Sequence, residues 1–106
     1  MPKFLIQASY TAEGLKGLQK DKASGRRAAM MALAEGLGGK LDCVHFALGD
    51  HDVVVIVDLP NIQAATALSV GVSASGLVHT KTTALLTVDE ADQALSKSIN
   101  YRAPGH

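Results

Sequence analysis

The sequence lacks most of the features that assign a chain to a class of protein at once. It has no tryptophan and a single cysteine, so no internal disulfide can form. Its ten basic and ten acidic residues cancel, which leaves no basic field to hold a nucleic-acid backbone or an anionic membrane. No apolar run approaches the roughly 18 residues of a membrane span, and the N-terminal stretch is too short for a signal peptide. We therefore expect no nucleic-acid partner, no membrane partner and a cytoplasmic location.

What the sequence does contain is typical of one small globular domain. The 106 residues are 47% hydrophobic and 19% charged, a composition that favours a folded chain over a disordered one. A chain of this length buries only about 60–68% of the surface that its unfolded form exposes. We expect a single domain over residues 1–106, with oligomerisation as an additional source of stability.

Hydrophobic periodicity predicts alternating strands and helices. Period-two patterns or β-branched runs predict strands over residues 3–10, 40–48, 53–57 and 77–86. A helix is predicted from Ser24 to the Gly38-Gly39 pair, with residues 11–23 forming at most a short helical turn. A second helix follows Pro60, and the Thr87 to Glu90 stretch is a capping box that opens a last helix.

This order predicts an α+β fold of the ferredoxin-like βαββαβ type, with an antiparallel sheet that packs two helices on one face. In that topology the first and third strands are central. The third strand, residues 53–57, is apolar on both sides, so its second face must also be kept dry. A second copy of the chain would cover that face. The alternative is a monomer in which residues 11–23 and the last helix cover it.

Several stretches of the sequence resemble the GYD-domain family of small bacterial proteins. They include SYTAEGLKGL, ALAEGLGGKL, FALGDHDVVVIVDLP, LSVGVSASGLVHTKTTALLT and YRAPG, so the likeness covers nearly the whole chain. The family's Gly-Tyr-Asp pattern falls on Gly49, His51 and Asp52, and the tyrosine position holds His51 here. The resemblance implies a dimeric α+β-barrel type of fold and a bacterial origin. It implies no particular activity, because proteins of similar fold have many functions.

One candidate binding site follows from strand parity. Five polar side chains fall on one side of their strands, and together they would line a pocket with hydrogen-bonding groups around an apolar floor: Gln7, Ser9, His45, His79 and Lys81. The alternative is that His79 and Lys81 mark the solvated side of an edge strand, where charged side chains are common.

Two weaker sites are also present in the pattern. Cys43, His45 and His51 could supply a thiolate and two imidazoles to zinc or copper, although no fourth ligand is evident. The flanking aspartates make His51 a candidate acid–base group, or they simply form a turn.

Arg26 and Arg27 begin the predicted first helix, where they could bind a phosphate or carboxylate or could be solvated surface.

We therefore expect a homo-oligomeric protein that binds a small molecule or serves as an accessory protein, with no cofactor. One alternative is a small cofactor-independent monooxygenase or isomerase that uses a histidine as acid and base. A second alternative is a metal- or haem-associated protein that uses Cys43 and the histidines.

Overall fold

The structure is a computed structural model that describes residues 1–106 as four strands and three helices. The strands are β1 (Lys3–Tyr10), β2 (Lys40–Phe46), β3 (Val53–Asp58) and β4 (Val78–Leu85), and the helices are α1 (Ala12–Gly36), α2 (Ile62–Ser73) and α3 (Val88–Leu95). The predicted α+β class is confirmed. The ferredoxin-like order is not exact, because the third helix makes the order β-α-β-β-α-β-α.

The sheet is antiparallel and its strands lie in the order β2-β3-β1-β4, so β1 and β3 are central as predicted. One face, which we call the covered face, packs against α1 and α2. Its core consists of alternate residues of the two central strands, Phe4, Ile6 and Ala8 from β1 and Val53, Val55 and Val57 from β3, all of them buried. The opposite face, which we call the open face, has no helix on it.

Helix α1 begins twelve residues before the position that the sequence predicts. Its N-cap is Thr11, whose hydroxyl oxygen accepts a hydrogen bond from the Gly14 amide at 3.2 Å. Lys22 interrupts the helix with a φ of +64° and a ψ of 167°, so α1 consists of two segments that meet at a kink. The predicted start at Ser24 corresponds to the second segment only, and the prediction of a mere turn over residues 11–23 is wrong.

Strand β2 ends at Phe46, two residues before the predicted Leu48. The hairpin closes there because the Ala47 amide donates to the Asp52 carbonyl at 2.8 Å, which turns the chain toward β3. Leu48 is fully exposed in the turn.

Residues 86–106, which we call the C-terminal arm, extend away from the sheet. The predicted capping box is confirmed, because Thr87 and Glu90 exchange hydrogen bonds at the start of α3. No residue of α3 is buried. The chain measures 57 Å along its longest axis and has a radius of gyration of 16.9 Å, against about 13 Å for a compact domain of 100 residues.

None of the three helices combines the length and the apolar character needed to cross a bilayer.

Candidate functional site

The open face carries an apolar centre with polar groups around it. Leu5, Val54 and Ile56 form the centre and are only half-buried. Strand register places Val54 between His45 and Gln7, and Gln7 opposite Lys81. Ser9 and His79 form the next pair along β1 and β4.

The five predicted pocket residues, Gln7, Ser9, His45, His79 and Lys81, therefore share one face of the sheet. They do not form a cluster, because neighbouring strands lie about 4.8 Å apart and His45 and Lys81 stand on opposite edge strands, about 14 Å from each other. His45, His79 and Lys81 are exposed. In a single chain the five residues lie on an open surface of the sheet and not in a pocket. None of them lines any of the three cavities described below.

The predicted metal ligands do not come together in the single chain. Cys43 and His45 lie two residues apart on β2, opposite Ile56 and Val54, while His51 lies in the turn beyond the strand. No group of three or more His, Cys, Asp or Glu side chains is close enough to hold a metal ion. One chain thus offers no complete set of ligands for zinc or copper.

The turn that contains Gly49, His51 and Asp52 is fixed to the end of β1. The Asp52 carboxylate accepts a hydrogen bond from the Tyr10 amide at 2.8 Å, and the Asp52 amide donates to the Ala8 carbonyl at 2.9 Å. The aspartate of this motif therefore continues the pairing of β1 with the hairpin. Its contacts are those of a residue that holds the fold together.

An ion-pair cluster at one end of the open face involves residues that sequence reasoning did not single out. The Lys3 ammonium contacts Asp58 at 2.9 Å and Asp42 at 3.1 Å. The hydrogen bond to Asp58, and then that to Asp42, raises the pKa of Lys3 above its ordinary value of 10.5. The Asp58 side chain is almost fully buried, so Lys3 supplies the charge that it needs. One ammonium pairs with two carboxylates here, so the cluster has a net charge of −1 and no free cation for an anionic ligand.

The covered face contains a cavity of about 80 Å³ between α1, α2 and the sheet. Fourteen of its sixteen lining residues are hydrophobic, so an apolar group would fit it and a polar one would not. Its walls come from both layers and include Ile6, Met30, Leu33, Val55 and Leu68. A wider cavity of about 260 Å³ adjoins it, since Tyr10, Arg26, Val72 and Val78 line both.

A third cavity lies at the opposite end of α2. It has a volume of about 340 Å³ and is lined partly by Phe4, Ile62 and Ala84. No ionisable side chain lines it. It provides no charged group to fix the orientation of a ligand.

Arg26 lies where the two adjoining cavities meet. Its Nε atom is buried and has no hydrogen-bond partner. The nearest carboxylate is that of Asp21, whose Oδ2 lies 4.0 Å from the Arg26 Nη1, beyond hydrogen-bond distance. The kink at Lys22 lies four residues before Arg26, so Arg26 falls in the first turn of the second segment of α1. The positive end of that segment therefore adds to the attraction that the guanidinium exerts on an anion.

The predicted pair of arginines thus separates into two environments. Arg26 lines both cavities, whereas Arg27 is exposed and lines neither of the two. A signal for this difference is present in the sequence, because Arg26, Met30 and Leu33 follow the i, i+4, i+7 spacing of one helix face. A cation within an apolar helical stripe indicates a charged group at the edge of a core.

These features define a small α+β domain with a single antiparallel sheet, one covered face and one open face. The family model for the GYD domain matches residues 4–95 of the 106-residue chain. The chain belongs to the GYD domain family, which confirms the resemblance seen in the sequence. Searches of the curated proteins and of the solved structures found no match.

Proposed function

We propose that this protein is a homodimer that binds a small apolar acid, with the carboxylate on Arg26 and the apolar part in the cavity of the covered face. The observation that carries the proposal is the buried Arg26 Nε without a hydrogen-bond partner, at the edge of a cavity that is otherwise apolar.

An acid satisfies this site because of the geometry of the guanidinium group. Arginine presents a planar array of N–H donors that matches the two oxygens of a carboxylate. A buried donor without a partner costs free energy, and a bound carboxylate would remove that cost. Asp21 does not supply the partner, because its oxygen lies 4.0 Å from the nearest guanidinium nitrogen.

The cavity of about 80 Å³ on the covered face, which we call the inner cavity, limits the size of the apolar part of the ligand. A cavity of about 150 Å³ lined by hydrophobic side chains binds benzene. The inner cavity here, at about 80 Å³, is therefore suited to a short or branched aliphatic group. The adjoining 260 Å³ cavity would hold the rest of the molecule beside Arg26.

The dimer is supported by the composition of the open face. Leu5, Val54 and Ile56 at its centre are only partly buried. Burying a side chain of this size completely is worth about 1.5–3 kcal/mol, and covering the part that is still exposed would add a fraction of that value. A second open face would cover this centre, and the polar side chains around it would then meet those of the partner.

Ligand binding can be tested by calorimetry with short carboxylic acids of three to six carbons and with the corresponding neutral amides. We expect the protein to bind an acid and not its amide, and the Arg26→Gln variant to lose at least tenfold in affinity. Arg27→Gln is the matched control, because that side chain is exposed, and it should bind as the unaltered protein does. Equal binding of acid and amide would contradict the proposal, and so would equal effects of the two substitutions.

The dimer can be tested by sedimentation. We expect a particle of about twice the chain mass of 11.0 kDa. Ile56→Lys places a charge at the centre of the open face and should give a monomer. Val70→Lys, at a side chain that is 62% exposed on α2, is the matched control and should remain a dimer. A protein that sediments as an 11.0 kDa particle at all concentrations is not the proposed dimer.

A further inference from the structure

The C-terminal arm presents an apolar helix face that packs on nothing in its own chain. In α3, Val88, Ala91 and Leu95 follow the i, i+3, i+7 spacing of one face. Val88 is 78% exposed and Leu95 is 83% exposed. Beyond the helix, Ile99 and Tyr101 are 81% and 68% exposed. The arm thus repeats large apolar side chains along its length without burying one of them.

The same helix has a well-formed N-terminus. Thr87 and Glu90 satisfy each other's backbone amides in a capping box, at 2.9 and 3.1 Å. A helix of eight residues is nonetheless marginal in water, since isolated helices shorter than about 12–15 residues are unstable. A capped and amphipathic helix of this length therefore needs a surface on which to pack.

Charge favours the open face as that surface. Asp89 and Asp92 of α3 belong to none of the ion pairs of the chain. On the open face Asp42 and Asp58 lie at the far end and share the single ammonium of Lys3, whereas Lys81 is exposed on β4 and has no acidic partner. The acidic helix and the basic edge of the open face are therefore complementary.

The area of the sheet also leaves room for a further contact. Four strands about 4.8 Å apart and six to eight residues long give a face of about 19 by 24 Å, or about 450 Å². A stable dimer commonly buries about 800 Å² on each partner. The open faces alone fall short of that value, and an arm with five exposed apolar side chains adds to it: Leu86, Val88, Leu95, Ile99 and Tyr101.

We propose that the C-terminal arm of each chain docks on the second copy, with the apolar face of α3 against the edge of the partner's open face near Lys81. This inference rests on the proposed dimer and adds the segment that holds it. The apolar face of α3 is available to the partner because the helix buries none of its residues on its own chain. Two such contacts form at once, because a two-fold axis makes the exchange reciprocal.

The test compares two variants of the full chain by sedimentation equilibrium. Val88→Glu combined with Leu95→Glu places two charges on the apolar face of α3, and we expect the dimer dissociation constant to rise at least tenfold. Gln93→Glu combined with Ala94→Glu adds the same charge outside the apolar face, because Gln93 lies opposite that face and Ala94 about 90° to its side, and we expect a change of less than twofold. Lys81→Glu, in a separate variant, should also weaken the dimer by reversing the complementary charge.

The outcomes separate the arm from the dimer itself. A dimer whose dissociation constant is the same for both pairs of substitutions overturns the docking of the arm and leaves the open-face dimer intact. An unaltered chain that is monomeric at every concentration overturns both. Binding of the full chain to phosphatidylcholine vesicles, lost on Val88→Glu and Leu95→Glu while the dimer is unchanged, would assign the arm to a lipid surface and overturn the proposal.

Discussion

Two glycines in the first segment of α1 should respond in opposite directions to the same substitution. A Cβ atom on Gly14 would lie 2.1 Å from the backbone carbonyl oxygen of Leu77, a distance that no real contact has. A Cβ atom on Gly17 would meet nothing within 4 Å. The two residues are three positions apart in one helix, so each is a control for the other.

The cost at Gly14 can be worked out from the contacts of that carbonyl. The Leu77 oxygen accepts hydrogen bonds from the Thr11 amide at 2.9 Å and from the Thr11 hydroxyl at 3.2 Å. To admit a methyl group, the helix and the carbonyl must separate by about 1 Å, which strains the backbone by about 1–3 kcal/mol and weakens two hydrogen bonds worth about 1 kcal/mol each. The better helix propensity of alanine offsets at most about 1 kcal/mol of this destabilisation.

We therefore expect Gly14→Ala to lower the free energy of unfolding by about 2 kcal/mol and Gly17→Ala to raise it by about 0.5–1 kcal/mol. Urea unfolding followed by circular dichroism, at one chain concentration for all samples, measures both values. The reasoning would be refuted if both variants shifted the unfolding midpoint in the same direction. It would also be refuted if Gly14→Ala were neutral.

Three other predictions follow from contacts described above. Asp52→Ala leaves the Tyr10 amide without its acceptor and should cost about 1–3 kcal/mol in urea unfolding, whereas Asp52→Asn keeps an acceptor and should cost less than half as much. Lys22→Gly should raise the unfolding free energy by about 1 kcal/mol by relieving the strained backbone, and an equal gain from Lys22→Ala would contradict this origin. Hydrogen bonds from Thr87 lower the pKa of Glu90 below its ordinary value of 4.5. The stability that the ionised Glu90 gives α3 is therefore present above pH 4.5 and is lost as the pH falls through the lowered pKa. The NMR helical shifts of α3 should follow that loss, and Glu90→Gln should abolish the pH dependence.

The parts of the fold that the sequence predicted are those that depend on local periodicity. A side chain on a strand alternates between two faces by geometry, so parity placed Gln7 with Ser9 and His79 with Lys81 on one side of their strands. The register of the sheet, which the sequence does not give, then brings these residues and His45 to the same face. The β-branched residues of β3 likewise indicated a central strand, and the sheet order confirms it. Thr87 and Glu90 predicted a helix start because a capping box involves only neighbouring residues.

The parts that the sequence did not predict depend on contacts between distant residues. Two glycines among polar residues disfavour a helix over residues 12–21, and the reason for Gly14 is its close approach to Leu77, 63 positions away. The Lys3 cluster joins residues 39 and 55 positions apart. Parity also cannot distinguish a surface from a cavity, so five residues that share a face did not identify the place where a ligand fits.

The cavity and the open face have a common physical origin in the small size of the core. Only 13 of 106 residues are buried, and α1 and α2 cover one face of a sheet whose central strand β3 has valine or isoleucine on both faces. A core this thin contributes little stability by itself, since a domain near 100 residues depends on burying most of its apolar surface. A second chain on the open face would add buried area without filling the cavity on the covered face. Dimerisation through the open face would therefore supply stability that the thin core lacks. With that stability from the open face, the cavity beside Arg26 on the covered face could stay unfilled and available to a ligand.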